Sequence, residues 1–235
     1  MSISDEFSRT AYVYGESSIE KLNKAKIAVF GIGGVGGHLC EALARAGVGS
    51  IDIFDRDTVS LSNINRQIIA LHSTVGMPKV EVMKARILDI NPNCIVNCHN
   101  VFYLPENADR YDLSQYDYIA DAIDTVSAKI ELVLRANASN TPIISAMGAG
   151  NKTDPSRFQV ADIFDTTVCP LARIMRHEMK KRGIKKLKVV YSTEEPKKSA
   201  IIDPESGKPI PGSLPFVPGV MGMIMAGEII NSLIN

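Results

Sequence analysis

No Cys-x-x-Cys pair occurs among the four cysteines, Cys40, Cys94, Cys98 and Cys169. A structural zinc held by two such pairs is therefore excluded, and so is a disulfide framework; the set reads as reduced thiols of a cytoplasmic protein. Net charge is missing too. The 26 Lys+Arg balance the 26 Asp+Glu, so any nucleic-acid site must be a local patch. The N-terminus, Met1-Ser-Ile-Ser-Asp5-Glu6, is polar and acidic and lacks the apolar stretch of a signal peptide. The most apolar segment, 217–234, contains Pro218, three glycines and Glu228. It falls short of the ~20 apolar residues of a membrane span and reads as a buried C-terminal helix. There is no internal repeat and no obvious linker, and the 45% hydrophobic and 22% charged residues are those of an ordinary globular domain.

What is present is a strand–glycine loop–helix–strand unit. Lys26–Phe30 is a short apolar run ending in glycines, as a buried parallel strand does. Val35, Leu39, Leu43 and Ala46 then recur at helical spacing, and Gly47 can stop that helix. Residues 50–55 form a second strand that ends on an acid. Further strands are expected at 95–101, 117–123 and 142–146, with helices at 79–91 and 127–139 between them. The alternation predicts an α/β, Rossmann-like fold: a mainly parallel sheet with helices on both faces.

Beyond Gly150 the rhythm changes. Strands are expected at 157–163 and 187–193, as antiparallel additions to the sheet. Between them a helix starts at Pro170 and ends at Gly183, with Leu171, Ile174, Met175 and Met179 as its apolar stripe. Residues 194–212 are rich in Pro, Lys, Ser and Gly and read as a mobile loop. The whole reads as one domain: a nucleotide-binding half, 1–150, and a substrate-facing half, 151–235, with the C-terminal helix.

The chemistry begins with Gly31-Ile32-Gly33-Gly34-Val35-Gly36 after the first strand. Such glycines allow a tight turn and bring backbone N–H groups to a phosphate at a helix N-terminus. Asp55 ends the second strand, where an acid can bind ribose hydroxyls. This much indicates a nucleotide but does not separate NAD from ATP. The run after Asp55 does: Asp57, Val59, Asn63, Asn65, Arg66 and Gln67 follow within one short stretch. Acids, amides and an arginine so placed can hold ribose, phosphate oxygens and a metal together. An NAD-dependent oxidoreductase would leave Asn63, Asn65, Arg66 and Lys79 without a task.

The glycine loop, this polar run, Lys79 in Val75-Gly-Met-Pro-Lys79 and Asp124 in Asp121-Ala-Ile-Asp124 together resemble the E1-like (ThiF/MoeB/HesA) adenylating superfamily. The resemblance implies ATP and Mg2+, and a substrate carboxylate attacking the α-phosphate as pyrophosphate leaves. By the same resemblance, Arg66 and Lys79 meet the phosphates, Asp55 the ribose and Asp124 the magnesium, with Asn63 a further nucleotide contact. Arg9 matches an arginine that reaches the phosphates from the other subunit of a homodimer. The presence of a monovalent cation near the nucleotide is left open.

The second half narrows the resemblance. Thr166-Thr-Val-Cys169-Pro-Leu-Ala-Arg173-Ile-Met-Arg176-His177, Lys188-Val-Val-Tyr-Ser-Thr-Glu-Glu-Pro196 and Gly212-Ser-Leu-Pro-Phe-Val-Pro-Gly219 are similar to the tRNA threonylcarbamoyladenosine dehydratase branch. That branch implies adenylation and ring closure of N6-threonylcarbamoyladenosine at position 37 of tRNA. A tRNA partner suits the local charge: Arg173, Arg176, Lys180, Lys181, Arg182, Lys185, Lys186 and Lys188 crowd one helix and its exit, opposed by Glu178. Cys169 reads as a packing thiol, because a cyclising reaction needs no protein nucleophile; a cysteine desulfurase or sulfur-acceptor partner is a further expectation from the family. The alternative is adenylation of the C-terminal glycine of a ubiquitin-like or sulfur-carrier protein.

Overall fold

The computed structural model describes residues 5–198, 201–202 and 209–235. Two short helices open the chain, α1 (Ser8–Tyr14) and α2 (Glu16–Lys24), before β1 (Lys26–Phe30). The remaining elements are α3 (Gly36–Arg45), β2 (Ser50–Phe54), α4 (Lys79–Ile90), β3 (Ile95–His99), β4 (Tyr118–Asp121), α5 (Val126–Ala138) and β5 (Ile143–Ala146), followed by β6 (Phe158–Asp162), α6 (Pro170–Lys181), β7 (Lys188–Ser192) and α7 (Val217–Ile234). Among the described residues they form one seven-stranded sheet in the order β3-β2-β1-β4-β5-β7-β6. The expected α/β architecture is thus present. β1, β2 and β4 are buried almost throughout, because helices cover both faces of a parallel sheet and leave no solvent side.

The strand order sets the site. From β1 the chain winds outward to β2 and β3, then returns to lay β4 on the other side of β1, with Ile27 opposite both Ile51 and Tyr118. The connections after β1 and β4 therefore diverge, and a crevice opens beyond the carboxyl ends of these two neighbours. The glycine loop leaves β1 there, and the segment carrying Asp124 leaves β4 there.

Two strand ends and one strand direction differ from expectation. The strand expected over 117–123 ends at Asp121, because the Asp121 carboxylate turns back to accept the Ile123 amide, which places Asp124 in the loop beyond it. The strand expected over 95–101 ends at His99, where the chain turns sharply and Val101 N bonds back to the His99 carbonyl. Of the two expected antiparallel additions only β6 is antiparallel, pairing Phe158 with Ser192 of β7; β7 itself runs parallel to β5, Ile144 opposite Lys188. The reason is the length of chain between them: β6 is an excursion to the edge, and α6 then returns the chain in the direction of β5, as a parallel crossover requires.

α7 is long and apolar enough to cross a membrane by length and composition, yet it packs against α3 in the main core. A Cβ on Gly222 would stand 2.3 Å from the Val35 carbonyl oxygen, so only glycine lets the two backbones approach this closely. All four cysteines are free thiols; Cys40 is buried as expected, and burial pushes its pKa well up.

The expected loop over 194–212 lies partly outside the described residues. Its described ends are pinned to Asn151, which accepts Lys197 N on its carbonyl and Gly212 N on its side chain and donates its own amide to the Gly212 carbonyl. Just before it, the buried Glu194 carboxylate accepts the amides of Thr153 and Asp154 at 3.0 Å and the Thr153 hydroxyl at 2.9 Å. Burial alone would push its pKa up, but these donors together with Lys152 outweigh it and hold the carboxyl below its ordinary value. A depressed carboxylate stabilises the fold above its unfolded pKa, ~4.3, and that contribution is lost as pH falls through the lower folded value. Glu194→Gln is therefore expected to lower Tm at neutral pH, with the gap to wild type closing only as pH falls below the ordinary glutamate range. A gap independent of pH in thermal scans would assign the effect to packing instead.

Candidate active site

A cavity of ≈ 320 Å³ fills the crevice at the ends of β1 and β4. One wall is the glycine loop. Gly31 has φ 90°, and a Cβ there would lie 2.6 Å from the Ala122 carbonyl oxygen, so the loop runs hard against the exit from β4. Gly33 is different: a Cβ on it would meet only the Gln67 side-chain nitrogen, at 3.8 Å. Its backbone is presented to the cavity at the N-terminus of α3, where N–H groups attract anions. Gly34 lines the cavity beside Pro218 of α7. Gly36, expected with them, is buried and lies outside the lining; its hydrogen sits where a Cβ would be 1.8 Å from the Gly31 carbonyl oxygen. It serves helix–loop packing.

The opposite wall follows β2. Asp55 is fixed by accepting Ile32 N at 2.7 Å and Asp57 N at 2.8 Å, which joins the end of β2 to the glycine loop. Burial pushes its carboxyl above the ordinary value; Lys79 and the two amides only partly offset this. Lys79 arrives from far along the chain because 57–59 and 76–79 pair as a short antiparallel ribbon, with Lys79 N donating to the Asp57 carbonyl at 2.9 Å and Val59 N to that of Met77 at 2.9 Å. Its buried ammonium stands 2.8 Å from an Asp57 oxygen and 4.0 Å from one of Asp55.

The polar run forms the rim. Ser60 N donates to the Asn63 side chain at 3.0 Å in a capping box, while Arg66 donates to the Ser62 carbonyl and the Asn65 side chain, each at 2.9 Å. Asn65 does not line the cavity; it donates to the Ser213 carbonyl and ties the rim to the approach to α7. Asn63, Arg66, Gln67 and exposed Asp124 do line it, so Gly31, Gly33, Gly34, Asp55, Asp57 and Lys79 share one cavity with these four. Arg9 is not brought there: it lies exposed on α1.

Among the described residues two buried side-chain polar atoms lack a hydrogen-bond partner, Gln67 Oε1 and Tyr103 OH, and both residues line this cavity. Such orphans are rare unless a ligand completes them. The base of the cavity is aromatic, with Phe30 stacked on Phe54 at 4.1 Å, Tyr103 edge-on to Phe30 at 4.9 Å, and Arg56 over the Phe102 ring at 4.5 Å. Cationic and amide groups on one side and flat apolar rings on the other suit a phosphorylated aromatic base.

A family model described as the ThiF family matches residues 7–235. The chain belongs to the ThiF family. It is 44% identical to a tRNA threonylcarbamoyladenosine dehydratase of Bacillus subtilis (strain 168), over 98% of this chain and 95% of that one. A tRNA threonylcarbamoyladenosine dehydratase of Escherichia coli (strain K12) is 41% identical over 85% of this chain and 76% of its own length. The crystal structure of the E. coli enzyme in complex with ATP superposes with a TM-score of 0.89 at 35% identity, covering 99% of this chain and 97% of that one.

In this ThiF-family chain the basic cluster divides. Arg173, Lys180, Lys181, Lys185 and Lys186 are exposed and carry no ion pair among the described residues. Arg182 instead pairs with Glu178, Lys188 with Glu228 at 3.1 Å, and half-buried Arg176 donates to the Thr166 carbonyl and hydroxyl. Cys169 is buried at the start of α6 against Gly148, as a packing thiol. Sequence reasoning missed the aromatic base and a buried pair, Asp121 with Lys129. The first had one signal, a phenylalanine ending each of two adjacent strands; the second had a lysine amid the apolar residues of 126–138.

Proposed function

We propose that this protein catalyses the ATP-dependent dehydration of N6-threonylcarbamoyladenosine at position 37 of tRNA. The likeness to dehydratases from end to end carries this reading, because it includes the half of the chain beyond the nucleotide cavity, where adenylating enzymes with other substrates must differ. The threonyl carboxylate attacks the α-phosphorus of ATP and pyrophosphate leaves. The carbamoyl group of the same side chain then attacks the activated acyl carbon, AMP leaves, and a ring closes with net loss of water.

The residues divide the work by charge. The Gly33 backbone approaches the phosphates, and Lys79 and Arg66 supply fixed positive charge where negative charge builds on them. Asp55 meets the ribose and the aromatic base accepts the adenine. Among the described residues no three His, Cys, Asp or Glu side chains cluster as a metal site. A divalent ion here would be held by Asp124 together with phosphate oxygens, the usual arrangement for Mg2+, which when bound neutralises phosphate charge.

The proposal includes a homodimer in the cytoplasm. Tyr12 and Val13 beside Arg9 are 78% and 77% exposed, and Leu61, Leu71, Val75 and Met77 expose apolar surface around the rim. Apolar surface of this kind suits a partner copy, whose Arg9 would reach the phosphates. Sedimentation showing only monomer with full activity would remove it. The reaction as written needs neither a sulfur step nor a monovalent cation.

The deciding experiment is mass spectrometry of nucleosides from threonylcarbamoyl-modified tRNA after incubation with the protein, ATP and Mg2+. Loss of one water that depends on ATP is expected. No mass change, with pyrophosphate released when a carrier protein ending in Gly-Gly is added, would establish carrier activation instead. The exposed lysines of α6 give a second test. Reversing charge at Lys180 and Lys181 should weaken tRNA binding and reduce the slope of log K against log salt by about 1.5, roughly 0.7–0.9 for each phosphate no longer neutralised. An unchanged slope would take the RNA off this helix.

A further inference from the structure

We infer that Lys129 and Asp121, joined by Ser145, are positioning residues that fix Asp124 at the mouth of the cavity. The inference rests on the reading of Asp124 as an acting group. Asp121 is the final residue of β4, Lys129 lies in the first turns of α5, and Ser145 lies opposite Asp121 on β5. All three are fully buried. Lys129 Nζ stands 2.9 Å from Asp121 Oδ2, and the Ser145 hydroxyl donates to the same oxygen at 2.5 Å.

What the pair holds is a single residue. Asp121 Oδ1 accepts Ile123 N at 3.1 Å, and Lys129 Nζ donates to the Ile123 carbonyl at 3.0 Å. Both polar groups of Ile123 are thereby clamped, and its carbonyl belongs to the peptide that carries Asp124. The Asp124 carboxylate itself is exposed, with Thr125 Oγ1 at 3.3 Å. Its position is therefore set through the backbone. The same clamp faces the glycine loop, since Ala122 and the Ile123 amide are the backbone atoms that exclude a Cβ from Gly31. One buried charge pair thus sets the spacing between the phosphate-binding loop and the acid opposite it.

Stability does not explain the pair. Fully buried ion pairs are commonly no better than apolar side chains of the same volume, since desolvation offsets the attraction. A bivalent grip on one peptide at a site edge is a task that apolar residues cannot perform.

The test uses the full chain with modified tRNA. Asp121→Asn/Lys129→Met removes both charges together, leaving no buried ion unpaired. kcat should fall about 100-fold, the penalty for a displacement near 1 Å, while ATP affinity measured without metal falls far less. Mn2+ affinity of the ATP-loaded protein, read by electron paramagnetic resonance, should weaken in parallel. Wild-type kcat and Mn2+ affinity in a folded double variant would overturn the inference. If the double variant does not fold, Ser145→Ala decides: removing one hydroxyl should lower kcat and Mn2+ affinity together by about threefold to tenfold, and unchanged values overturn it. Asp124→Ala separates the two levels. Its loss of turnover with Lys129 variants unaffected would reject the clamp alone, whereas full activity in Asp124→Ala would reject the reading of the site.

Discussion

Lys79→Met is expected to lower kcat/KM for ATP by about three orders of magnitude, equivalent to roughly 4 kcal/mol of transition-state stabilisation. Two effects add. The variant removes a fixed cation from the phosphate side of the cavity, and it also leaves Asp55 and Asp57 facing the nucleotide without the ammonium that stands 4.0 and 2.8 Å from them. Phosphates would then meet net negative charge. The fold should survive, because Asp55 keeps its two amide donors. A loss of about 2 kcal/mol of stability, some 4–8 °C in Tm for a chain of this size, is the expected cost of leaving a mostly buried carboxylate without its cation. ATP–pyrophosphate exchange below the melting transition separates the two effects. Exchange above a tenth of wild type would mean that Lys79 serves mainly to neutralise the acids.

Gly36→Ala should act on folding, and Gly33→Ala on binding. A Cβ at position 36 is fixed by the backbone and cannot rotate away from the Gly31 carbonyl oxygen 1.8 Å distant. Either α3 or the loop must move, at an expected cost of about 3–5 kcal/mol, which lowers Tm by roughly 6–20 °C. At position 33 the added methyl meets nothing closer than 3.8 Å, so thermal stability should match wild type, but the methyl occupies the surface offered to phosphate. ATP affinity should fall at least tenfold there. Scanning calorimetry and equilibrium ATP binding on both variants check the contrast, and equal melting temperatures would show that the loop yields at Gly36.

The contrast also shows where sequence was sufficient. Four glycines in one motif read alike, yet only their neighbours separate the one that faces the open cavity from the one that faces a carbonyl. The parallel core was legible because β1 is an apolar run that leads into glycines and β2 leads into an acid, Asp55. The polar half of the cavity was legible because Asp55 to Gln67 are consecutive. Tyr103 was not, since nothing periodic marks 100–117. The place of β7 was hidden as well, because a strand's partner depends on the path of the intervening helix. For Arg176 and Lys188 charge alone did not show the intramolecular partners, Thr166 for the first and Glu228 for the second.

α7 packs on α3 and contributes Pro218 to the nucleotide cavity, while Tyr14 near the start of the chain hydrogen-bonds to Asn231 at 3.0 Å. During synthesis on the ribosome, the glycine loop is therefore made long before the helix that completes its cavity. The emerging chain carries an exposed α3 face through most of translation, a period in which chaperones can act on it. ATP should consequently protect only chains elongated past α7 from proteolysis, so that nucleotide binding reports that this helix has been made and docked.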